Sequence, residues 1–128
     1  MKKILVFLGA AVLAARVYAA GFPDITIPEL KSVMESKKAV ILDVNGSESY
    51  QQGHIPGAID YVANQDKIIK LLPKDKNALV VAYCGNPQCQ AYLSAANAIK
   101  KLGYTNVKHL TAGIAGWKEA HEKTEKGG

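Results

Sequence analysis

Cys84 and Cys89 are the only two cysteines of the chain, and they stand at the two ends of one six-residue stretch, Cys84-Gly85-Asn86-Pro87-Gln88-Cys89. An unbroken apolar run, Ala78 to Tyr83, precedes the stretch and reads as a buried strand of a parallel sheet. An Ala-rich run, Gln90 to Leu102, follows it, with Leu93, Ala96, Ala98, Ile99 and Leu102 spaced for one face of a helix and Gly103 placed to end it. A short connection from strand end to helix start aims successive backbone N–H groups at one spot, and the helix dipole adds positive potential there. A thiolate at the head of that loop is favoured below the free-thiol pKa of about 8.5, and the same donors stabilise an anionic sulfur adduct. Cys84 is therefore the candidate nucleophile. Gly85, Asn86, Pro87, Gln88 and Cys89 form the candidate substrate-binding loop, and Cys89 is also a candidate resolving cysteine. The competing reading is a buried structural cysteine at a strand end.

The elements that must position this loop follow in chain order. Pro28 starts a predicted helix to about Ser36, with Leu30, Val33 and Met34 facing a core. Ala39 to Val44 is a second apolar strand, carrying Asp43 near its end. Ser47 can cap a short helix over Glu48 to Gln52, and Gly53-His54-Ile55-Pro56-Gly57 reads as a tight turn. Ala58-Ile59 gives a short strand, and Asn64 is a candidate cap for a helix to about Leu72, stopped by Pro73. Val107 to Leu110 forms the last strand, and Thr111-Ala112-Gly113 leads into a helix from Ile114 to about Glu122. The charged tail, Lys123 to Gly128, is expected to fray. Alternating strands and helices predict a parallel sheet covered on both faces, with ligands beyond the carboxyl ends of the strands. Asp43, Tyr83-Cys84 and Thr111-Gly113 should thus converge around Cys84. His54 and Asp43 are expected to pin backbone, and Tyr50 and Trp117 to pack, rather than to catalyse.

Four stretches then carry a resemblance: Leu42-Asp43-Val44; Glu48-Ser49-Tyr50 leading into Gly53-His54-Ile55-Pro56-Gly57-Ala58; Tyr83-Cys84; and Leu110 through Gly113 to Trp117. Over about residues 25 to 120 the chain resembles a single-domain rhodanese-like protein. That resemblance implies an α/β fold with a parallel sheet of about five strands and helices on both faces. It implies sulfane sulfur transfer through a persulfide on Cys84. The six-residue loop is similar to that of the sulfurtransferase members, whereas related dual-specificity phosphatases use a loop one residue longer. The chain departs from the family in two places. Cys89 stands where many members end the loop with Arg, and Asn45 stands where many read Asp-Val-Arg. Poor use of thiosulfate is expected without those forks of donors.

Residues 1–19 read as a signal peptide, with basic Met1-Lys2-Lys3, a 12-residue apolar stretch from Ile4 to Ala15 and a small-residue cleavage site at Val17-Tyr18-Ala19. Twelve residues are too few to span a bilayer, which takes about 20. Export, to a bacterial periplasm, is the expectation, with no membrane association after cleavage. Residues 20–128 then form one domain. The leader holds Lys2, Lys3 and Arg16 and no acid, so only +2 of the formal charge of +5 belongs to the mature chain. That balance gives no reason to expect a nucleic-acid partner. Cys-x-x-Cys-His is absent, which excludes covalent haem attachment, and His54, His109 and His121 make no zinc-like spacing with the cysteines. No cofactor or metal is expected.

Three functions remain open at this level. The first is a periplasmic sulfurtransferase that takes sulfur from a small donor or protein persulfide and delivers it to a thiol or sulfide. The second is a thiol–disulfide redox or persulfide-releasing protein, in which Cys89 attacks the inner sulfur on Cys84 and expels sulfide. The third is a non-catalytic binding module clipped by the cysteine pair. A disulfide closing so short a loop adds little by chain entropy, so the clip is the least motivated of the three.

Overall fold

The structure is a computed structural model, and it describes residues 21–128. The expected signal peptide, residues 1–19, lies outside the described residues. The elements are α1 (Ile27–Glu35), β1 (Ala39–Asp43), α2 (Ser47–Gln52), β2 (Ile59–Asp60), α3 (Tyr61–Asn64), a 3-10 turn (Gln65–Lys67), α4 (Ile68–Leu71), β3 (Leu79–Tyr83), α5 (Tyr92–Lys101), β4 (Val107–His109) and α6 (Gly113–Glu119). The strands form one parallel sheet in the order β2-β1-β3-β4. Central β3 pairs with β1 from Ala39↔Leu79 to Asp43↔Tyr83, and with β4 from Val80↔Val107 to Ala82↔His109.

Alternation along β3 divides the core into two layers. Val80, Ala82 and Cys84 face a cluster with Leu42, Val44, Tyr92, Ala95, Ala96 and Ile99. Val81 and Tyr83 face the opposite cluster, with Leu30, Ile41, Ile55, Leu110 and Trp117. Both faces are covered, which is why the strand sequences are continuously apolar instead of alternating. The strand period thus places the Cys84 side chain on the α5 face of the sheet.

The sheet has four strands where about five were expected. The fifth place, beside β4, is a single parallel bridge between Asp24 and His109. His109 N–H donates to Pro23 O at 2.8 Å and Ile25 N–H to His109 O at 2.9 Å. Pro23 has no N–H to extend the ladder, and the chain turns away at Thr26 to cap α1. There Glu29 N–H donates to Thr26 Oγ1 (3.2 Å) and Thr26 N–H to Glu29 Oε1 (2.9 Å), a reciprocal capping box.

Two expectations are corrected. Asn64 does not cap a helix to Leu72: its Nδ2 donates to Asp60 O at 2.8 Å, while Asp60 Oδ1 caps α3 by accepting from Ala63 N–H at 3.2 Å. The segment consequently breaks into α3, the 3-10 turn and α4. The charged tail is not frayed. Glu125 and His54 exchange backbone N–H···O bonds of 2.9 Å in an antiparallel bridge, Gly127 N–H donates to Gln51 O (2.9 Å), and Trp117 Nε1–H to Lys123 O (2.7 Å). The tail's polarity conceals that its backbone pairs with the turn at His54.

Candidate active site

Cys84 follows the last residue of β3, in the crevice where the segments after β1, β3 and β4 meet. Val44 N–H donates to Tyr83 O (2.9 Å) and Leu110 N–H to Ala82 O (3.1 Å), which brings the three strand ends into register. At the start of α6, Ile114 N–H donates to Cys84 O (3.0 Å) and Ala115 N–H to Gly85 O (2.9 Å). Across a planar trans peptide the N–H points opposite to the carbonyl. Anchoring those two carbonyls on α6 therefore turns the N–H groups of Gly85 and Asn86 away from it, and neither has an acceptor among the described residues. The donors expected at the head of the loop are thus oriented from behind, by a helix other than the one that follows it.

The approach is close because Gly113 has no side chain. A Cβ there would stand 2.6 Å from Gly85 C and 2.7 Å from Asn86 N, and Gly113 has φ +67°, in the left-handed region. Farther along, the loop folds on itself: Asn86 Oδ1 accepts from Gln88 N–H (2.9 Å) and Asn86 O from Cys89 N–H (3.0 Å). The cradle is smaller than the spacing suggests, since those two donors are engaged within the loop. Helix α5 also begins at Tyr92 rather than Gln90, because Gln90 and Ala91 form a turn.

Cys84 and Cys89 are joined as a disulfide with Cα atoms 6.3 Å apart, inside the usual range of about 4.4–6.8 Å. The sulfurs differ in access. Cys84 is 1% exposed and packed in the core cluster, whereas Cys89 is half-buried at its edge. Gly85 abuts Gly113, Asn86 organises the loop, Pro87 and Cys89 border a cavity, and Gln88 is exposed.

Asn45, His109 and Tyr92 join the site without having been singled out for it. Asn45 Nδ2 is buried with no partner among the described residues, and its Oδ1 lies 3.7 Å from the position a Gly85 Cβ would occupy. The residue counted only as a missing arginine thus places an unused donor against the loop. Its position just past a strand end was the available signal. His109 stacks on Tyr92, centroids 3.4 Å apart, and both border the cavity beside Cys89.

Asp43 and His54 hold backbone, as expected. Asp43 Oδ1 accepts from Asn45 N–H (2.8 Å), and Oδ2 from Tyr83 Oη–H (2.6 Å), whose oxygen accepts from Ile55 N–H (3.0 Å). Burial raises the Asp43 carboxyl above its ordinary range against the opposing pull of those donors, and burial with the Asp43 charge pushes the Tyr83 phenol far up. His54 Nδ1–H donates to Tyr50 O at 2.8 Å and its ring stacks on Tyr50.

Burial lowers the pKa of His109, with the Asp24 charge pulling the other way. A folded value below the unfolded value of about 6.5 means that the unfolded chain takes up the proton first. The neutral ring's contribution to stability is then complete above about pH 6.5 and is lost as pH falls toward the folded value. Urea midpoints of wild type and His109→Gln at pH 7.5 and 5.5 test this, the variant cancelling the raised Asp43 common to both. Wild type should lose more stability than the variant on acidification. Equal losses would assign the titration to another group.

Residues 26–120 match the family described as Rhodanese-like domain. The chain belongs to the rhodanese-like family. Its sequence is 28% identical to thiosulfate sulfurtransferase GlpE of Pseudoalteromonas translucida, over 82% of the chain and 98% of that protein. It is 32% identical to the uncharacterized protein YibN of Escherichia coli K12, over 73% of the chain but 65% of YibN, so the match spans just under two thirds of that relative. Among solved structures, the Alr3790 protein of Anabaena superposes with a TM-score of 0.64 at 29% identity, covering 80% of each chain. A thiosulfate sulfurtransferase of Pseudomonas aeruginosa superposes with a TM-score of 0.68 at 24% identity, over 84% of this chain and 21% of that one, and shows the shared fold. The parallel sheet and the helices on its two faces are those of a rhodanese-like domain, with its outer fifth strand reduced to one bridge.

Proposed function

We propose that this rhodanese-like domain is an exported sulfurtransferase that carries sulfane sulfur on Cys84 and can release it as sulfide through Cys89. The observation that carries the reading is the place of Cys84 at the carboxyl end of the central strand, at the head of a loop whose Gly85 and Asn86 N–H groups point away from α6 and have no acceptor among the described residues. In the reduced protein the Cys84 thiolate attacks the sulfane sulfur of a polysulfide or persulfide, R–S–S⁻. The donor's S–S bond breaks, the electron pair leaves on R–S⁻, and Cys84 holds the persulfide. Attack by an acceptor thiolate or sulfide on the outer sulfur transfers it and restores the Cys84 thiolate.

The disulfide favours a second course on the same site. The Cys89 thiolate attacks the inner sulfur of the Cys84 persulfide, the S–S bond of the persulfide breaks, and HS⁻ departs. The product is the Cys84–Cys89 bond found in the structure. A leader-like segment at residues 1–19 supports export, where such a bond can persist. The GlpE relative is named for thiosulfate, but the chain's own loop lacks the arginine fork, which supports polysulfide or a protein persulfide as the better donor.

The test is stoichiometric. Reduced protein mixed with one equivalent of an organic persulfide, R–S–S⁻, without acceptor, should release close to one sulfide per chain and lose two hydrogens in intact mass. Added thiol acceptor should divert the sulfur to the acceptor. Neither sulfide nor an added sulfur atom on the protein would remove sulfur transfer as the function.

A further inference from the structure

A cavity of about 240 Å³ opens beside the disulfide on the Cys89 side, with Phe22, Cys89, Tyr92, His109 and Thr111 in its lining together with the Asp24 carboxylate, which accepts from Thr111 N–H at 2.9 Å. Tyr92 is 1% and His109 6% exposed, and Tyr92 Oη and His109 Nε2 are buried without a hydrogen-bond partner among the described residues. Such groups cost about 1–3 kcal/mol each if left unpaired, and both belong to side chains that border this cavity, so a polar occupant that reaches them is favoured. Thr111 Oγ1 lies 3.3 Å from His109 Nδ1. With the ring proton on Nδ1 donated to that hydroxyl, Nε2 is a free base. Burial keeps the ring neutral.

We propose that this cavity binds a low-molecular-weight thiol, which opens the disulfide at Cys89 after giving its proton to His109. The site takes a small thiol because about 240 Å³ beside Cys89 gives room for a group of cysteine's size. Cys89 is the sulfur attacked because it borders the cavity, whereas Cys84, as long as the disulfide holds it, is 1% exposed. Cys84 is also the better leaving sulfur, since its thiolate emerges at the head of a loop whose Gly85 and Asn86 N–H groups have no acceptor among the described residues.

The thiol R–SH transfers its proton to His109 Nε2, and its sulfur attacks Cys89 Sγ. The Cys84–Cys89 bond breaks and its electron pair leaves on Cys84, giving R–S–S–Cys89, a Cys84 thiolate and protonated His109. A second thiol attacks the R sulfur of the adduct, releasing R–S–S–R and Cys89 as the thiol. Two thiols are oxidised and two cysteines reduced. The step goes beyond the proposed sulfur transfer, since it needs only the disulfide, and failure of sulfur transfer would leave it standing.

Oxidised wild type is treated with limiting free cysteine, quenched in acid after alkylation with iodoacetamide, and the tryptic peptide containing both cysteines is fragmented. The cysteine adduct should lie on Cys89 and the alkyl group on Cys84. The reverse assignment overturns the proposal without need of any variant. A second arm compares rates of disulfide opening at pH 7 by free cysteine and by tris(2-carboxyethyl)phosphine, whose attack transfers no proton. His109→Gln should slow the cysteine reaction about tenfold or more, the low end of general-base effects, and leave the phosphine reaction within about twofold. Equal slowing of both would make His109 a purely structural residue, and an unchanged cysteine rate would remove it from the step.

Discussion

Cys84→Ser should reduce sulfur uptake by at least about a thousandfold, because it removes the proposed nucleophile and leaves only a hydroxyl without a general base in the loop. Cys89→Ser should take up sulfur at close to the wild-type rate but keep it. With no second thiolate to attack the inner sulfur, the persulfide accumulates, one sulfur atom per chain, and sulfide release without an acceptor stops. The asymmetry follows from position: Cys84 leads directly out of β3, with its carbonyl and that of Gly85 fixed to α6, whereas Cys89 sits at the far end of a turn organised by Asn86. Intact mass after polysulfide treatment and sulfide measurement on both variants decide it. Sulfur uptake that survives in Cys84→Ser and disappears in Cys89→Ser would reverse the roles. Cys89→Arg extends the series, replacing a weak S–H donor by a planar fork suited to a sulfonate. A gain of roughly 3 kcal/mol in anion binding at the transition state would raise thiosulfate turnover about a hundredfold. High wild-type turnover, unchanged by the substitution, would mean that the backbone donors already suffice for thiosulfate.

Gly113→Ala should be strongly destabilising and should disturb the loop as well. A left-handed conformation costs an L-residue about 1–2 kcal/mol. The added carbon would also stand 2.6–2.7 Å from backbone atoms of Gly85 and Asn86, which cannot swing aside as a side-chain tip can. Together these should lower stability by about 3 kcal/mol or more. Relief requires α6 and the loop to part, stretching the bonds from Ile114 to Cys84 and from Ala115 to Gly85 and turning the free N–H groups out of line. Sulfur uptake should fall accordingly even where enough protein remains folded. Gly57→Ala is the control, since Gly57 has φ +84° but nothing within 4 Å of an added Cβ. It should cost only the conformational part, about 1–2 kcal/mol. Urea midpoints and uptake rates of the two variants measure the difference, and equal losses would show that the contact of Gly113 with the loop is unimportant.

Periodicity by itself determined most of this fold. Continuous apolar runs at Ala39–Leu42 and Ala78–Tyr83, separated by helical patterns, require strands buried on both faces, and such strands are parallel and joined by crossovers. The period of two also determined that Cys84 shares a face with Val80 and Ala82. The place of Cys84 at a strand end was equally local, since it needs only the change from strand to loop. What the tertiary structure decided involves partners distant in sequence. Gly113 lies against Gly85, His109 stacks on Tyr92 beside Cys89, and Glu125 pairs with the turn at His54. No period or propensity encodes such contacts, because each depends on which strand neighbours which and on how far each helix is displaced along the sheet. The orientation of the loop donors belongs to the same class. A strand–loop–helix pattern points to the helix that follows the loop, yet here the carbonyls that set the loop are held by α6, two elements later. The access of the two sulfurs is likewise tertiary: core packing closes over Cys84, while the cavity formed by β4, α5 and the chain before α1 leaves Cys89 at its edge.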